Sequence, residues 1–272
     1  MLLVIDIGNT TAMIGCYEEA KLLGHYRIAS KTSRELTPMT TVDDLGLKVY
    51  QLLQIRALSD RHIEGAAICS VVPDLTRIYS EMVRLYFRAD PWTLRHDADL
   101  GMSIKVHEPS LVGADRLANA VAVRHHYGFP AVVVDLGTAT TFDVVDGAGD
   151  YIGGAIAPGV QTSAAELFRT AAQLFPIQIE KPDRFIGKNT TAAMRAGIFF
   201  GAVGMIDYLV EGILRELGAP DAKVIATGGY AEWLLPHSAF IQKIDPDLTL
   251  EGIRLTYERN HPRQDKGRAK MA

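Results

Sequence analysis

Two stretches of this sequence carry side chains that can hold a phosphate and a cation together. In one, the apolar run Leu2–Ile5 ends at Asp6 and is followed by Gly8, Thr10 and Thr11. In the other, Ala131–Val134 ends at Asp135 and is followed by Gly137, Thr138, Thr140 and Thr141. Each continues into a second apolar run, Ala12–Gly15 and Phe142–Val145, and the two aspartates lie 129 positions apart (135 minus 6). The glycine permits a tight turn and close approach of backbone to a ligand. Turn amides and threonine hydroxyls donate to phosphate oxygens. A carboxylate at a strand end can hold a cation, directly or through water, and the cation in turn holds a nucleotide phosphate. One copy alone reads equally as a hairpin with a polar turn; two copies at domain spacing point to a duplicated phosphate-binding device. A third constellation, Gly113-Ala114-Asp115-Arg116, opens a helical pattern through Leu117, Val121 and Tyr127. It sets a carboxylate and a guanidinium together at the first turn of that helix. The pair reads equally as a first-turn acid favoured by the helix dipole with a surface arginine behind it.

The elements that must position these groups repeat. Leu2–Ile5, Ala12–Tyr17 and Gly24–Ala29 predict three successive strands, which excludes a βαβ dinucleotide unit, whose turn leads straight into a helix. Thr40 or Thr41 can cap a helix over Val42–Leu58; Gly65–Val72 predicts a buried strand, Leu75–Phe87 a second amphipathic helix and Trp92–Leu94 a short strand. Gly101–Val112 lacks periodicity and reads as a loop. The second half repeats the order with strands Ala131–Asp135, Thr140–Val145 and Tyr151–Ile156, a helix near Ser163–Ala172 and an extended Phe175–Glu180. A long helix, Thr191–Leu217, ends at Gly218 and Pro220, and a strand, Lys223–Ala226, ends in Thr227-Gly228-Gly229, where a glycine pair leaves room for a base and ribose. Ala231–Leu235 is a short helical piece. Domain limits are expected at 1–115 and 116–255, with a disordered basic tail over 256–272.

Composition removes several function classes. At 272 residues and 48% hydrophobic the chain can bury substantial cores. A net charge of −4 and a pI near 6.1 argue against generic binding to nucleic acid or to an anionic membrane. Cys16 and Cys69 each sit in an apolar run, which fits buried free thiols rather than a disulfide framework or zinc spacing. No basic leader is evident and no apolar stretch is read as reaching the ~20 residues of a bilayer span, so a reducing, cytoplasmic location is expected. Gly187-Lys188 is not a P-loop, because Pro182 and Asn189 stand where a glycine and a Ser or Thr are needed.

The secondary-structure order and the paired turns resemble the actin-like ATPase and sugar-kinase superfamily. This implies an α/β fold of two actin-like (ribonuclease H-like) domains with mixed sheets and an interdomain cleft. Asp6-Ile7-Gly8-Asn9-Thr10, Gly113-Ala114-Asp115-Arg116, the run from Asp135 to Asp143, Gly153–Gly159 and Gly187–Thr190 followed by Ala193, Met194 and Gly197 are, in this order, similar to the type III pantothenate kinase family. That resemblance covers residues 1 to about 255. It implies a transferase that phosphorylates pantothenate with ATP to 4′-phosphopantothenate, the first step of coenzyme A biosynthesis. It implies a cytoplasmic homodimer that uses magnesium with ATP and needs potassium or ammonium. By motif, Asp6, Ile7, Gly8, Asn9, Thr10, Thr11, Ala12 and Met13, with Thr138, would bind ATP. Gly113, Ala114, Asp115 and Arg116, with Thr190, would bind pantothenate; Asp115 would be the general base, and Asp135 would hold the monovalent cation. One departure is visible: the family usually has a tyrosine three residues before the proline of the loop preceding Gly113, and Pro109 puts Val106 there. Two alternatives stay open, a kinase of the superfamily with another acceptor and a non-catalytic accessory regulator.

Overall fold

The computed structural model describes residues 1–30, 40–58 and 62–262. The chain forms two compact units, one of Met1–Ser103, Glu108–Val121 and the segment from Leu250, the other of Ile104–His107 and Ala122–Thr249. These limits differ from the expected 115/116 and 255/256 boundaries: residues 104–107 group with the second sheet, and residues 116–121 and 250–262 with the first.

The first unit carries β1 (Leu2–Ile7), β2 (Thr11–Glu18), β3 (Lys21–Ala29), α1 (Val42–Ile55), β4 (Gly65–Ser70), α2 (Pro73–Phe87) and β5 (Pro91–Thr93). Its sheet order is β3-β2-β1-β4-β5. The first three strands are antiparallel, and β4 and β5 add in parallel. Side chains alternate across a strand. Leu3, Ile5 and Ile7 therefore point to one face, where they pack with Leu45, Val49 and Leu53 of α1 and Leu75, Tyr79 and Met82 of α2. Thr41 caps α1 by accepting from Asp44 N at 3.1 Å, as the sequence suggests. Val4 and Asp6 point to the opposite face with their ladder partners Ala67 and Cys69. Two helices cover that face: the start of α3 (Ala114–His126) and α7 (Leu248–Asn260). They cross so closely that a Cβ on Gly252 would come within 1.9 Å of the Ala118 carbonyl oxygen. Buried Arg254 pairs with Glu251 and Glu258 of the same helix and lies over the Tyr17 ring of β2. Residues 256–260, read from the sequence as the start of a tail, complete this helix, while 263–272 lie outside the described residues.

The second unit repeats the plan. β6 (Ala131–Leu136), β7 (Ala139–Val145), β8 (Tyr151–Pro158), β9 (Lys223–Thr227) and β10 (Lys243–Ile244) form a sheet ordered β10-β9-β6-β7-β8. β6 to β8 are antiparallel and β9 and β10 parallel, the same order and sense as the first sheet. Both units therefore have the mixed α/β topology that the duplicated turn motif implies. α4 (Val160–Thr170), α5 (Thr190–Leu217) and α6 (Ala231–Leu234) belong to this unit. Phe175–Glu180, expected to be extended, forms no regular element. α5 begins at an Asn189 cap and ends at Gly218 in the left-handed region, φ 63°. By length and composition α5 could cross a bilayer, which corrects the sequence reading that no stretch could. Its Phe199, Ile206, Val210 and Leu214 are nevertheless buried with Val132, Val134 and Leu136 of the sheet, as in a core helix.

Candidate active site

In the first unit the turn after β1 is closed by Gly8 N donating to Thr11 O at 3.0 Å, and a Cβ on Gly8 would sit 3.0 Å from that same oxygen. Asn9, Thr10 and Thr11 are exposed on the turn. Of the expected ATP-binding residues, Ile7 and Ala12 are wholly buried, so they can offer only backbone groups. Met13 Sδ accepts from Arg27 Nε at 3.4 Å. Asp6, half-buried at the end of β1, is the ladder partner of Cys69 in β4, whose thiol donates to it. Burial first, and then the neighbouring Asp6 and Asp115 carboxylates, push the Cys69 thiol well above the ordinary range, so it stays a neutral donor. The sequence marks Cys69 only as a buried thiol; its place beside Asp6 becomes visible only through the β1–β4 register.

Asp115 lies in the first turn of α3. Arg116 N donates to its Oδ1 at 2.8 Å, and a Cβ on Gly113 would come within 2.4 Å of that oxygen, so a side chain at 113 would displace the Asp115 carboxylate. Burial raises the Asp115 pKa above the usual aspartate value; the Arg116 N–H and guanidinium oppose the shift without cancelling it. A carboxylate made more basic by burial, near a phosphate-type turn, is suited to accept a proton from an alcohol.

In the second unit Gly137 N donates to Ala139 O at 3.1 Å. The exposed Thr138 presents its carbonyl to Gly159 N at 3.2 Å and to Thr162 Oγ1 at 2.7 Å. A Cβ on Gly159 would lie 2.4 Å from Thr138 O, so the start of α4 can seat against the turn only as glycine. Asp135 is flanked in the ladder by Thr141 on β7 and Thr227 on β9. Gly228, φ +92°, passes so near that a Cβ there would be 2.6 Å from Asp135 Oδ1. A half-buried carboxylate at a strand end, flanked by hydroxyls and kept clear by a glycine, offers the hard oxygen donors that a potassium-sized cation takes. Below it, wholly buried Asp143 accepts from Thr141 Oγ1 at 3.2 Å and from Tyr151 Oη at 3.1 Å; sequence reading gave Asp143 no role.

Thr190 opens α5, but the cap is Asn189, whose Oδ1 accepts from Ala192 N at 2.8 Å, which leaves the exposed Thr190 hydroxyl for other use. Thr190 borders two hollows. One, of 410 Å³, includes Phe175, Asn189 and Arg195. The other, of 550 Å³, is an apolar groove between α4 and α5 lined by Leu167, Met194, Ile198 and Met205. Val106 stands against Gly153, whose Cβ would meet Val106 Cγ1 at 3.6 Å; it brings no hydroxyl.

Comparison with known proteins agrees with these motifs. The model of the family "Type III pantothenate kinase" matches residues 2–212. A type III pantothenate kinase from Moorella thermoacetica is 42% identical over 260 residues, 96% of this chain and 100% of the relative. One from Roseiflexus castenholzii is 41% identical over 260 residues, 96% and 99% of the two chains. Among solved structures, a Campylobacter jejuni protein named for the Baf family of transcriptional activators superposes with a TM-score of 0.59 at 18% identity, covering 95% of this chain and 98% of its own; that likeness shows the fold alone. Near-complete alignment at such identity, with the two phosphate turns and Gly113–Arg116 in place, means that this chain belongs to the type III pantothenate kinase family.

Proposed function

We propose a specific division of labour for the reaction that family membership establishes. The chain is a pantothenate kinase: it transfers the γ-phosphoryl group of ATP to pantothenate in coenzyme A biosynthesis, with ATP carried as its complex with a divalent metal. Phosphoryl transfer asks the protein mainly for positioning and charge neutralisation. In this reading the Gly8–Met13 turn cradles ATP phosphates with its amides and with the Asn9, Thr10 and Thr11 side chains. Asp6 reaches the ATP-bound magnesium directly or through water, and Thr138 contacts ATP from the second turn. Gly113–Arg116 binds pantothenate, with Arg116 matched to its carboxylate and Thr190 adding a hydroxyl. Asp115 takes the proton of the primary alcohol. Asp135 holds potassium or ammonium, which offsets charge on the transferring group.

The observation that carries the proposal is Asp115: a half-buried carboxylate, held by the Arg116 N–H and raised in pKa by burial. The aspartates whose loss would mark a non-catalytic relative, Asp115 and Asp135, are both present. A cytoplasmic location and a homodimer complete the reading. The dimer is supported by α5, whose Tyr208 is 77% exposed, and by the apolar groove that α4 leaves beside it. A second copy covering this face in an isologous contact would bury both. The test is an ATP-consumption assay with pantothenate, in potassium and in choline chloride. Pantothenate-dependent turnover that requires potassium or ammonium is expected. ATP consumption without dependence on pantothenate overturns the acceptor assignment, and full turnover in choline overturns the cation assignment.

A further inference from the structure

We propose that the Thr141 hydroxyl is a second protein oxygen of the cation site at Asp135, and that buried Asp143 holds it in the orientation to act as one. The proposal rests on the cation reading of Asp135 above.

The ladder places Thr141 directly opposite Asp135, so their side chains leave the same face of the sheet. Opposed residues of an antiparallel pair have Cβ atoms about 4.5–5.5 Å apart. Asp143, two residues along β7, lies on that same face and is 0% exposed. Its two oxygens are engaged separately: Thr141 Oγ1 donates to Oδ2 at 3.2 Å and Tyr151 Oη donates to Oδ1 at 3.1 Å.

A threonine hydroxyl has one proton and two lone pairs. With its proton directed at Asp143, the Thr141 oxygen turns only lone pairs toward the Asp135 side. Asp135 as carboxylate is likewise an acceptor. A cation held by the Asp135 carboxylate can therefore take the Thr141 oxygen opposite it as a second donor. The donor set, a carboxylate and a hydroxyl oxygen, is hard and suits potassium or ammonium rather than a soft metal. Burying a carboxylate is costly unless it is hydrogen-bonded. Asp143 is held by two hydroxyls, and the outcome of that arrangement is a fixed polarity for the Thr141 hydroxyl. Outer-shell groups of this kind commonly change cation affinity by 10–100-fold when altered.

The test uses the full chain, with and without magnesium and a non-hydrolysable ATP analogue. The midpoint of thermal unfolding is followed as potassium chloride replaces choline chloride at constant ionic strength, so that cation binding is read without turnover. The wild type is expected to gain stability with potassium. Thr141→Val, which keeps shape and loses the oxygen, should need roughly tenfold or more potassium for the same gain. Thr141→Ser, which keeps the oxygen, should restore the wild-type response. Asp143→Asn should weaken the response while leaving Thr141 in place. A Thr141→Val protein that responds to potassium as the wild type does, while Asp135→Ala does not respond, overturns the role of Thr141 and leaves the cation reading standing. No potassium-specific gain in the wild type overturns both. Should Asp143→Asn fail to fold, the comparison of the valine and serine variants at Thr141 decides the matter alone.

Discussion

Replacing Asp115 by asparagine separates what this carboxylate does for catalysis from what it costs the fold. Asparagine keeps an oxygen for the Arg116 N–H, which donates to Asp115 Oδ1 at 2.8 Å, so the first turn of α3 should keep its shape. Both substrates should still bind. What is lost is the proton acceptor, and removing a general base lowers turnover by roughly 10²–10⁴-fold. At about 1.36 kcal/mol per decade this corresponds to roughly 2.7–5.4 kcal/mol of barrier. The raised pKa adds two signed expectations. Wild-type kcat/KM should fall as pH drops through a value above that of an ordinary aspartate, because the base must be ionised, and the variant should lose this acid limb. A carboxyl whose folded-state pKa is raised contributes stability below its unfolded pKa and loses it as pH rises through the folded one. Ionised Asp115 therefore works against the fold at neutral pH, and Asp115→Asn should melt higher than the wild type there. The gap should close on acidification below the ordinary aspartate range. The assays are steady-state kinetics from pH 5 to 9 and thermal melts over a wider range. Turnover within tenfold of the wild type, with an unchanged acid limb, would refute the base assignment.

Three further perturbations test other parts of the reading. Asp135→Ala should abolish the potassium or ammonium requirement together with most activity, measured by titrating each cation; a variant that keeps potassium-dependent turnover contradicts the assignment. Gly252→Ala should destabilise the first unit by about 1–3 kcal/mol, the usual cost of overpacking, because the new Cβ meets backbone at Ala118 O rather than a flexible side chain; chemical denaturation measures it, and an unchanged midpoint would contradict the α3–α7 contact. Dilution below the dimer dissociation constant should remove specific activity along with mass by light scattering, if a partner's α5 surface completes the pantothenate pocket; a fully active monomer refutes the shared pocket but not the kinase.

The motifs of the candidate site were legible because each is local in sequence. Asp6, Gly8, Thr10 and Thr11 are close neighbours in sequence, and the turn they form is closed by Gly8 N and Thr11 O. The same holds for Asp135–Thr141 and Gly113–Arg116. Strand triplets were legible because each turn lies between two apolar runs. Cys69 and Asp143 were not, because their roles depend on register: Cys69 matters through its parallel pairing with Asp6, 63 positions away (69 minus 6). Asp143 matters through Tyr151 and through the pairing that sets Thr141 opposite Asp135. α7 was missed for a related reason. Its apolar face, Leu250 and Ile253, is short and interrupted by Arg254, whose burial makes sense only with Glu251 and Glu258 beside it and Tyr17 beneath it.

α5 shows where a sequence pattern stops and packing has to decide. A helix that carries Ile198, Phe199, Phe200, Val203, Ile206, Leu209, Val210 and Ile213 is apolar over a broad arc, with Glu211 and Arg215 outside it, and that pattern fits a core helix or a subunit interface. Burial sorts them. One face is closed against β6 and β9 with α6, and its Phe199 ring meets Trp233 edge-on at 4.6 Å. A lipid-crossing helix does not need a sheet of its own chain on one side. The other face is not closed: α4 covers part of it and leaves the groove lined by Leu167, Met194 and Met205, with Gly197 and Gly201 opening space beside them. A Cβ on either glycine would meet nothing within 4 Å. Among the described residues, then, no packing contact requires those glycines. Close approach by a second helix would require them, and this is the reason to expect the partner on this face. Substituting leucine at Gly201 should accordingly leave the monomer's fold intact while weakening the proposed dimer, measured as mass by light scattering across a dilution series.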